Sequence, residues 1–202
     1  KYIDGAKPGM IYNTVTSECF DGKKGIKVIP CYYKKDFPEW SDRGDGPGAP
    51  VAVHLPNSPV IQTGKRDGSK IRLPNGNYLE ETASYYVLVQ TKAGGMTPAL
   101  ITMKSTQLNV SKKWNSMMKT IQIPDGKGGF AIPPMHGVVY NLQSVLQKND
   151  KGSWYGWSVA QDRIMGQEDK SLYLNAKDFR GNVSKGNVQT KADVEEKAKD
   201  NT

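Results

Sequence analysis

Aromatic residues stand beside basic residues at three places in the sequence, and this combination is suited to holding a nucleic acid strand. The ring of an exposed Tyr, Phe or Trp stacks on a base, whereas Lys and Arg neutralise phosphates. The three clusters lie at Tyr32–Trp40, Lys112–Trp114 and Lys148–Tyr155. Because stacking and phosphate contacts need no particular base, the pattern predicts binding of single strands with little sequence preference.

Within and beside these clusters, each candidate residue is assigned to one of the two kinds of contact. Phosphate contacts are predicted for Lys34, Lys35, Arg43, Lys104, Lys112 and Lys113. Base stacking is predicted for aromatic residues beside turns or opposite the predicted core, namely Tyr33, Phe37, Trp40 and Trp154. For these four rings, burial in the core is the alternative that the sequence leaves open. Trp114 and Trp157 are assigned to the core because they lie on predicted apolar faces.

The distribution of charge also indicates an anionic partner. The chain has 28 Lys and Arg against 20 Asp and Glu, a formal net charge of +8. No acid lies between Thr82 and Pro124, a stretch that holds five lysines. Ordinary solvated surfaces mix both signs of charge, so an acid-free basic stretch favours a polyanionic partner. A basic protein without such a partner is the alternative.

Residues for catalysis or metal binding do not cluster in the sequence. His54, His136, Cys19 and Cys31 are too far apart to give a metal-ligand spacing. The glycines at 126–129 lack the strand and helix that frame a phosphate-binding loop. The sequence therefore predicts a protein that is not an enzyme and has no cofactor or metal.

The elements that position these residues are mostly β-strands. Alternating hydrophobic residues and turn residues predict five strands, at Gly25–Tyr33, Tyr85–Gln90, Pro98–Met103, Val138–Leu146 and Trp154–Val159. Between the third and fourth strands, apolar residues from Val110 to Ile121 follow a helical period, with Ser105 or Thr106 as the N-cap. This order is that of an OB-fold barrel, which binds single strands on one face. A β-sandwich or an open sheet has a similar order.

The predicted fold is therefore mainly β with minor α, an OB-fold-like five-stranded barrel with three additions. These are an N-terminal hairpin that joins Met10–Thr16 to Gly25–Tyr33, a long Gly- and Pro-rich inserted loop at residues 41–77, and a C-terminal helix at Glu168–Phe179. The loop contains a small hairpin from Ile71 to Leu79. Residues 1–186 are predicted to form a single nucleic-acid-binding domain, followed by a polar, loosely ordered tail at residues 187–202.

Cysteine content and hydropathy bear on the cellular compartment. Cys19 and Cys31 are predicted to be free thiols, because two cysteines do not make a disulfide framework. No stretch approaches the roughly 20 apolar residues that span a bilayer. The sequence thus predicts a cytoplasmic protein with no membrane partner.

Four phrases of the sequence resemble those of a family of bacteriophage proteins of about this length: IDGAKPGMIYNTVT, DGKKGIKVIPCYY, MKSTQLNVSKKWNSMM and NDKGSWYGW. The resemblance covers most of the chain. It implies an OB-like fold and binding of single-stranded DNA in phage DNA replication or recombination, within the host cell cytoplasm. Phage or host replication and recombination proteins are the further partners it suggests, and association into a homo-oligomer is left open.

Two other functions are compatible with the same residues. The first is a non-catalytic protein-interaction or phage structural module, whose basic face packs on an acidic partner. The second is a metal-dependent nuclease or recombination enzyme with a site that the sequence does not reveal. Saturable binding to oligonucleotides without turnover distinguishes DNA binding from both.

Overall fold

The structure is a computed structural model that describes residues 5–42, 49–150 and 152–188. Most of the regular structure in these ranges is β, which confirms the predicted class. The strands are β1 (Ile11–Tyr12), β2 (Cys19–Phe20), β3 (Ile26–Trp40), β4 (Ala52–His54), β5 (Lys65–Asp67), β6 (Lys70–Arg72), β7 (Tyr78–Glu80), β8 (Thr82–Gln90), β9 (Met96–Lys104), β10 (Ile123–Pro124), β11 (Phe130–Ala131), β12 (Val138–Asn149) and β13 (Gly152–Ile164). The helices are α1 (Pro59–Thr63), α2 (Leu108–Thr120) and α3 (Lys170–Ser184).

Five antiparallel strands form the main sheet, in the order β13-β12-β3-β8-β9. These are the five predicted strands, and several are longer than predicted, since β3 continues to Trp40 and β13 to Ile164. In the part of the chain that the structure describes, β9 and β13 do not pair, so the predicted closed barrel is wrong and the sheet is open.

A side chain occupies the open edge of β13. The backbone N–H of Trp157 donates a hydrogen bond of 2.7 Å to Oε1 of Gln107, in the 3-10 turn that precedes α2. This N–H is therefore satisfied by a glutamine instead of by a neighbouring strand, which is one way to protect a sheet edge.

The inner face of the main sheet packs on α2. Side chains from several strands are buried there, and Trp114 of α2 lies among them. The Trp114 ring stacks on Tyr85 with 4.3 Å between ring centres and meets Tyr140 edge-on at 5.6 Å. The predicted core position of Trp114 is thus confirmed. The predicted Ser105 or Thr106 cap is not, because α2 follows a 3-10 turn (Ser105–Gln107) and no side-chain hydrogen bond caps either element in the described structure.

Helix α3 covers part of the outer face of the main sheet and confirms the predicted C-terminal helix. Its Ala176 is buried with a second set of apolar side chains, Ile29, Cys31, Leu88 and Val139. Both cysteines are free, as predicted. Burial raises the pKa of the Cys31 thiol to about 12, so this thiol stays protonated at neutral pH.

The region predicted as a long loop contains a second, smaller sheet. The C-terminal part of β3 pairs with β4 and β7, and β5, β6 and β7 pair in sequence. Phe37, Ile71, Leu73 and Leu79 form its core. The predicted hairpin is confirmed by the pairing of Ile71 with Leu79. The rest of the loop prediction is wrong for the described residues, because Gly and Pro here mark turns between very short strands.

The predicted N-terminal hairpin is also wrong in its pairing. Strand β1 pairs with β2 (Cys19–Phe20), and not with the strand that begins at Ile26. Ile11 is buried in the main core and Phe20 packs against that core. The short hairpin is therefore held by these apolar contacts.

Candidate nucleic-acid interface

Strand β3 divides the first aromatic–basic cluster between the two faces of the sheet. Successive side chains of a strand point to opposite faces, and cross-strand partners share a face. Tyr33 and Lys35 pair with Tyr85 and Ala83, both buried on the inner face. Lys34 pairs with Ser84 and therefore lies on the outer face. A cluster that is contiguous in sequence is thus not one surface.

Two of the four predicted stacking residues are turned inward by this alternation. Phe37 is only 6% exposed and belongs to the core of the small sheet, so the expectation of an exposed Phe37 ring is wrong. Tyr33 is half-buried, packs against the main core, and has its ring centre 5.0 Å from that of Tyr85. Neither ring is free to receive a base in this structure.

Trp40 is half-buried, and the structure surrounds it with residues that the sequence did not single out. It lies directly opposite Tyr78 on β7. Nζ of Lys70 is 3.6 Å from the centre of the Tyr78 ring, and Nζ of the predicted Lys104 is 6.0 Å from that of Trp40. We call these residues, with Arg72, the small-sheet surface. Tyr78 could have been found from the sequence because it follows the Asn75-Gly76 turn. This turn sets the register of the hairpin and so decides which residues lie opposite each other.

Most cations in and around the small-sheet surface are already paired with carboxylates. Nζ of Lys104 lies 2.8 Å from Glu80, and Arg72 contacts Asp42 at 3.0 Å and Asp67 at 3.3 Å. The predicted phosphate ligands Lys34 and Lys35 likewise meet Asp36 at 2.9 Å and Glu81 at 2.7 Å. A phosphate that approached these cations would have to compete with a carboxylate, which reduces the gain from each contact.

Helix α2 presents a different kind of basic surface. Lys112, Lys113 and Lys119 are exposed on the side opposite the buried Trp114 and Met118. At 100° per residue, these three lysines fall within about a third of the helix circumference. None of them forms an ion pair within the described residues. We call them the basic stripe.

The surroundings of the basic stripe in the sequence are almost free of negative charge. Between Thr82 and Asn149 the only acid is Asp125. Asp125 keeps its negative charge, because its Oδ1 accepts hydrogen bonds from the N–H groups of Lys127 at 2.8 Å and Gly129 at 2.9 Å. The three lysines of the stripe and this one carboxylate leave a net positive charge in this part of the sequence.

Gln107 brings the start of α2 next to the hairpin that carries Trp154. Its Oε1 accepts a hydrogen bond from the N–H of Trp157, and its Nε2 donates one to Oε1 of Gln147 at 3.4 Å. Trp154 pairs with Gln147 across this hairpin. Its ring is half-buried, and its Nε1 is buried without a hydrogen-bond partner in the described structure. The start of α2 thus lies beside this hairpin, while Trp154 occupies the sheet face opposite that of Trp157, which packs against the main core.

The remaining predicted residue and two further observations complete the site. Arg43 lies outside the described residues. Across residues 5–42, 49–150 and 152–188, no three His, Cys, Asp or Glu side chains are grouped so that they could hold a metal ion. No helix in those ranges combines the length and apolar character needed to cross a membrane.

These features define a mainly β domain, with an open five-stranded sheet, helices on both faces and a basic helical surface on α2. A family model described as Pam3 phage gp34-like protein matches residues 1–189. The chain belongs to this bacteriophage family, which confirms the phage origin expected from its sequence phrases. No curated protein and no solved structure matches the chain.

Proposed function

We propose that this protein binds single-stranded DNA with little sequence preference, without catalysing a reaction, during phage DNA replication or recombination. The observation that carries the proposal is the basic stripe: three exposed lysines on one side of α2, none of them paired with an acid among the described residues. Unpaired surface lysines attract phosphates and release the counterions of the strand, which supplies affinity for any sequence.

The geometry of α2 suits contact with consecutive phosphates. Lys112 and Lys119 are seven residues apart, which corresponds to about 10 Å along a helix axis. Trp114 anchors the helix in the core, so the lysines can engage a strand without any change in packing. Trp154 on the adjacent hairpin supplies an aromatic ring for a base, and stacking of this kind tolerates every base.

The strands follow the order of an OB-fold, although this sheet is open, and that order suggests where a bound strand would lie. OB-fold domains bind oligonucleotides on their second and third strands and on the loops that join strands one to two and four to five. The corresponding parts of this chain are β8, β9, the small sheet and the turn of the β12–β13 hairpin. Trp40 is the last residue of β3, Tyr78 lies in the connection that follows, and Trp154 lies beside the turn of the β12–β13 hairpin.

A titration of the unmodified protein with fluorescently labelled oligo-dT at several salt concentrations tests the proposal. Each phosphate neutralised on a single strand contributes about −0.7 to the slope of log affinity against log salt, so the stripe alone predicts a slope of about −2 or steeper. Saturable binding with this slope and no cleavage is expected. Magnesium-dependent cleavage of the oligonucleotide would instead favour a nuclease.

The same stripe favours one competing function, a protein-interaction or phage structural module that packs on an acidic partner. An acidic protein surface supplies charge but no bases. The affinity of the protein for oligo-dT, compared with its affinity for a polyglutamate of equal charge, therefore distinguishes the two functions. DNA binding requires that oligo-dT bind more tightly at equal salt, because stacking adds to the charge term. Absence of any salt-dependent binding to oligo-dT would leave the interaction module as the better account.

A further inference from the structure

The β10–β11 hairpin follows directly after α2 and holds an aromatic ring in solvent. Ile123 pairs with Ala131 and Pro124 with Phe130. The Phe130 side chain is 71% exposed, more than any other aromatic side chain in the described part of the chain, and the nearby Ile132 is 58% exposed. Phe130 and Ile132 are two residues apart and leave apolar surface in solvent, which a partner can cover.

The turn of this hairpin is built to hold its shape without help from the core. Besides the two N–H groups that donate to its carboxylate, Asp125 donates its own N–H to the carbonyl of Gly129 at 3.0 Å. Gly126 and Gly128 have φ values of 74° and 88°, a region that favours glycine. The N–H bonds from Lys127 and Gly129 hold the pKa of Asp125 below its usual range, so its carboxylate remains ionised and bonded to the turn. Local hydrogen bonds therefore fix the backbone of the turn that leads into Phe130.

The charged groups around Phe130 narrow the choice of partner. Lys119 in the last turn of α2 and Lys127 in the hairpin turn are both exposed, and neither forms an ion pair among the described residues. Asp125, in the same turn, remains ionised, so two lysines against one carboxylate leave a small positive excess. A partner that combines an apolar surface with negative charge fits this surface. A nucleotide in a single strand has both, because its flat base adjoins its phosphate.

We propose that Phe130 stacks on a base of a single strand whose phosphates run along the basic stripe to Lys127. This inference rests on the proposed function and adds a stacking residue that no aromatic–basic cluster in the sequence revealed. It places the end of the bound strand at the β10–β11 hairpin, beyond the C-terminal end of α2.

Three substitutions at Phe130 test the inference by oligo-dT titration. Phe130→Ala is expected to weaken binding roughly 5- to 150-fold, the range for one stacked base, with the salt slope unchanged. Phe130→Leu keeps an apolar side chain but no ring, and is expected to lose nearly as much affinity. Phe130→Trp is expected to keep the affinity of the parent. Val15→Ala, at another exposed apolar position, is the matched control and is expected to bind like the parent.

The outcomes separate this inference from the proposed function. If the parent binds with the expected slope and Phe130→Ala binds equally well, the stacking inference is wrong while DNA binding stands. If Phe130→Leu retains full affinity, the contact is not stacking. If the parent does not bind at all, both are wrong. As a second measurement, oligo-dT should lower the tryptophan emission of Phe130→Trp by more than it lowers that of the parent, which has four tryptophans of its own. An equal fall in both proteins would count against a base at this position.

Discussion

The two basic surfaces of the molecule use their lysines in different ways. On the small-sheet side, Lys104 and Lys35 each meet a carboxylate, Glu80 and Glu81 respectively. On α2, Lys112 and Lys113 meet none within the described structure. Paired cations contribute a little to stability, whereas unpaired cations leave a positive potential for a ligand. A count of lysines in the sequence does not distinguish these two roles.

The largest expected effect concerns how the basic stripe is held. Trp114→Ala removes the ring that stacks on Tyr85 and meets Tyr140, so it should lower the free energy of unfolding by about 3–5 kcal/mol. The double substitution of Lys112 and Lys113 by Ala should change it by less than about 0.5 kcal/mol per site, because both side chains are in solvent. Urea unfolding measures both. A loss below about 1 kcal/mol for Trp114→Ala would contradict the role of this anchor.

The small sheet depends instead on a buried carboxylate, Glu39. Burial would raise the pKa of Glu39, but hydrogen bonds from Asn77, His54 and Asn75 outweigh burial and lower the pKa below its ordinary 4.5. The ionised form is therefore favoured by folding, and its contribution is present above pH 4.5 and lost as the pH falls through the lowered value. Glu39→Gln should cost about 1.5–3 kcal/mol at neutral pH, the usual value for hydrogen bonds to a charged group.

The pH dependence sharpens this prediction. The difference in unfolding free energy between the parent and Glu39→Gln should shrink as the pH falls below 4.5 and through the lowered pKa of Glu39, because only the parent can gain a proton at this position. Asp169, whose pKa is also lowered, through the hydrogen bond from Arg163, is present in both proteins and so does not affect the difference. A difference that stays constant over this range would contradict the role assigned to Glu39.

A smaller effect compares one lysine from each surface. Lys104→Ala leaves Glu80, whose side chain is only 14% exposed, without its ion-pair partner. A loss of about 1 kcal/mol is expected, at the upper end for a partly exposed pair. Lys112→Ala should leave stability within about 0.5 kcal/mol of the parent. Thermal unfolding of both variants at low salt makes the comparison, and equal shifts would remove the distinction between paired and unpaired lysines.

The sequence predicted the elements with a long hydrophobic period and missed those without one. Helix α2 and the five main strands have enough alternating or helical positions to be recognised. Strands β5, β6 and β7 have three residues each, too few to show a period. The extension of β3 to Trp40 was missed because Lys34-Lys35-Asp36 and Pro38 are unusual in a strand.

The prediction of the site failed where it depended on which face a side chain occupies. The register of β3 shifts between Pro30 and Tyr32, and this irregularity decides that Tyr33 and Phe37 point inward. Ion pairs such as Lys104–Glu80 depend on the exact register of the β8–β9 hairpin, which places Lys104 opposite Thr82. The basic stripe could be predicted because all three of its lysines lie in α2, where the helical period alone decides which side chains share a face. Phe130 was missed because a single aromatic residue in a Gly-rich turn gives no pattern.

The salt dependence of binding by the α2 variant is the most direct test of the claim that the basic stripe binds phosphates. Changing Lys112 and Lys113 to Ala should shallow the slope of log affinity against log salt by about 1 to 1.5 units, since each lost phosphate contact removes about 0.7. The matched control changes the exposed Lys177 and Lys185, at α3 and its C-terminal end, to Ala, for the same loss of charge on another helix. The account predicts that this control keeps the slope of the parent. An α2 variant that also keeps the parent slope, or a control that shallows it equally, would contradict the claim.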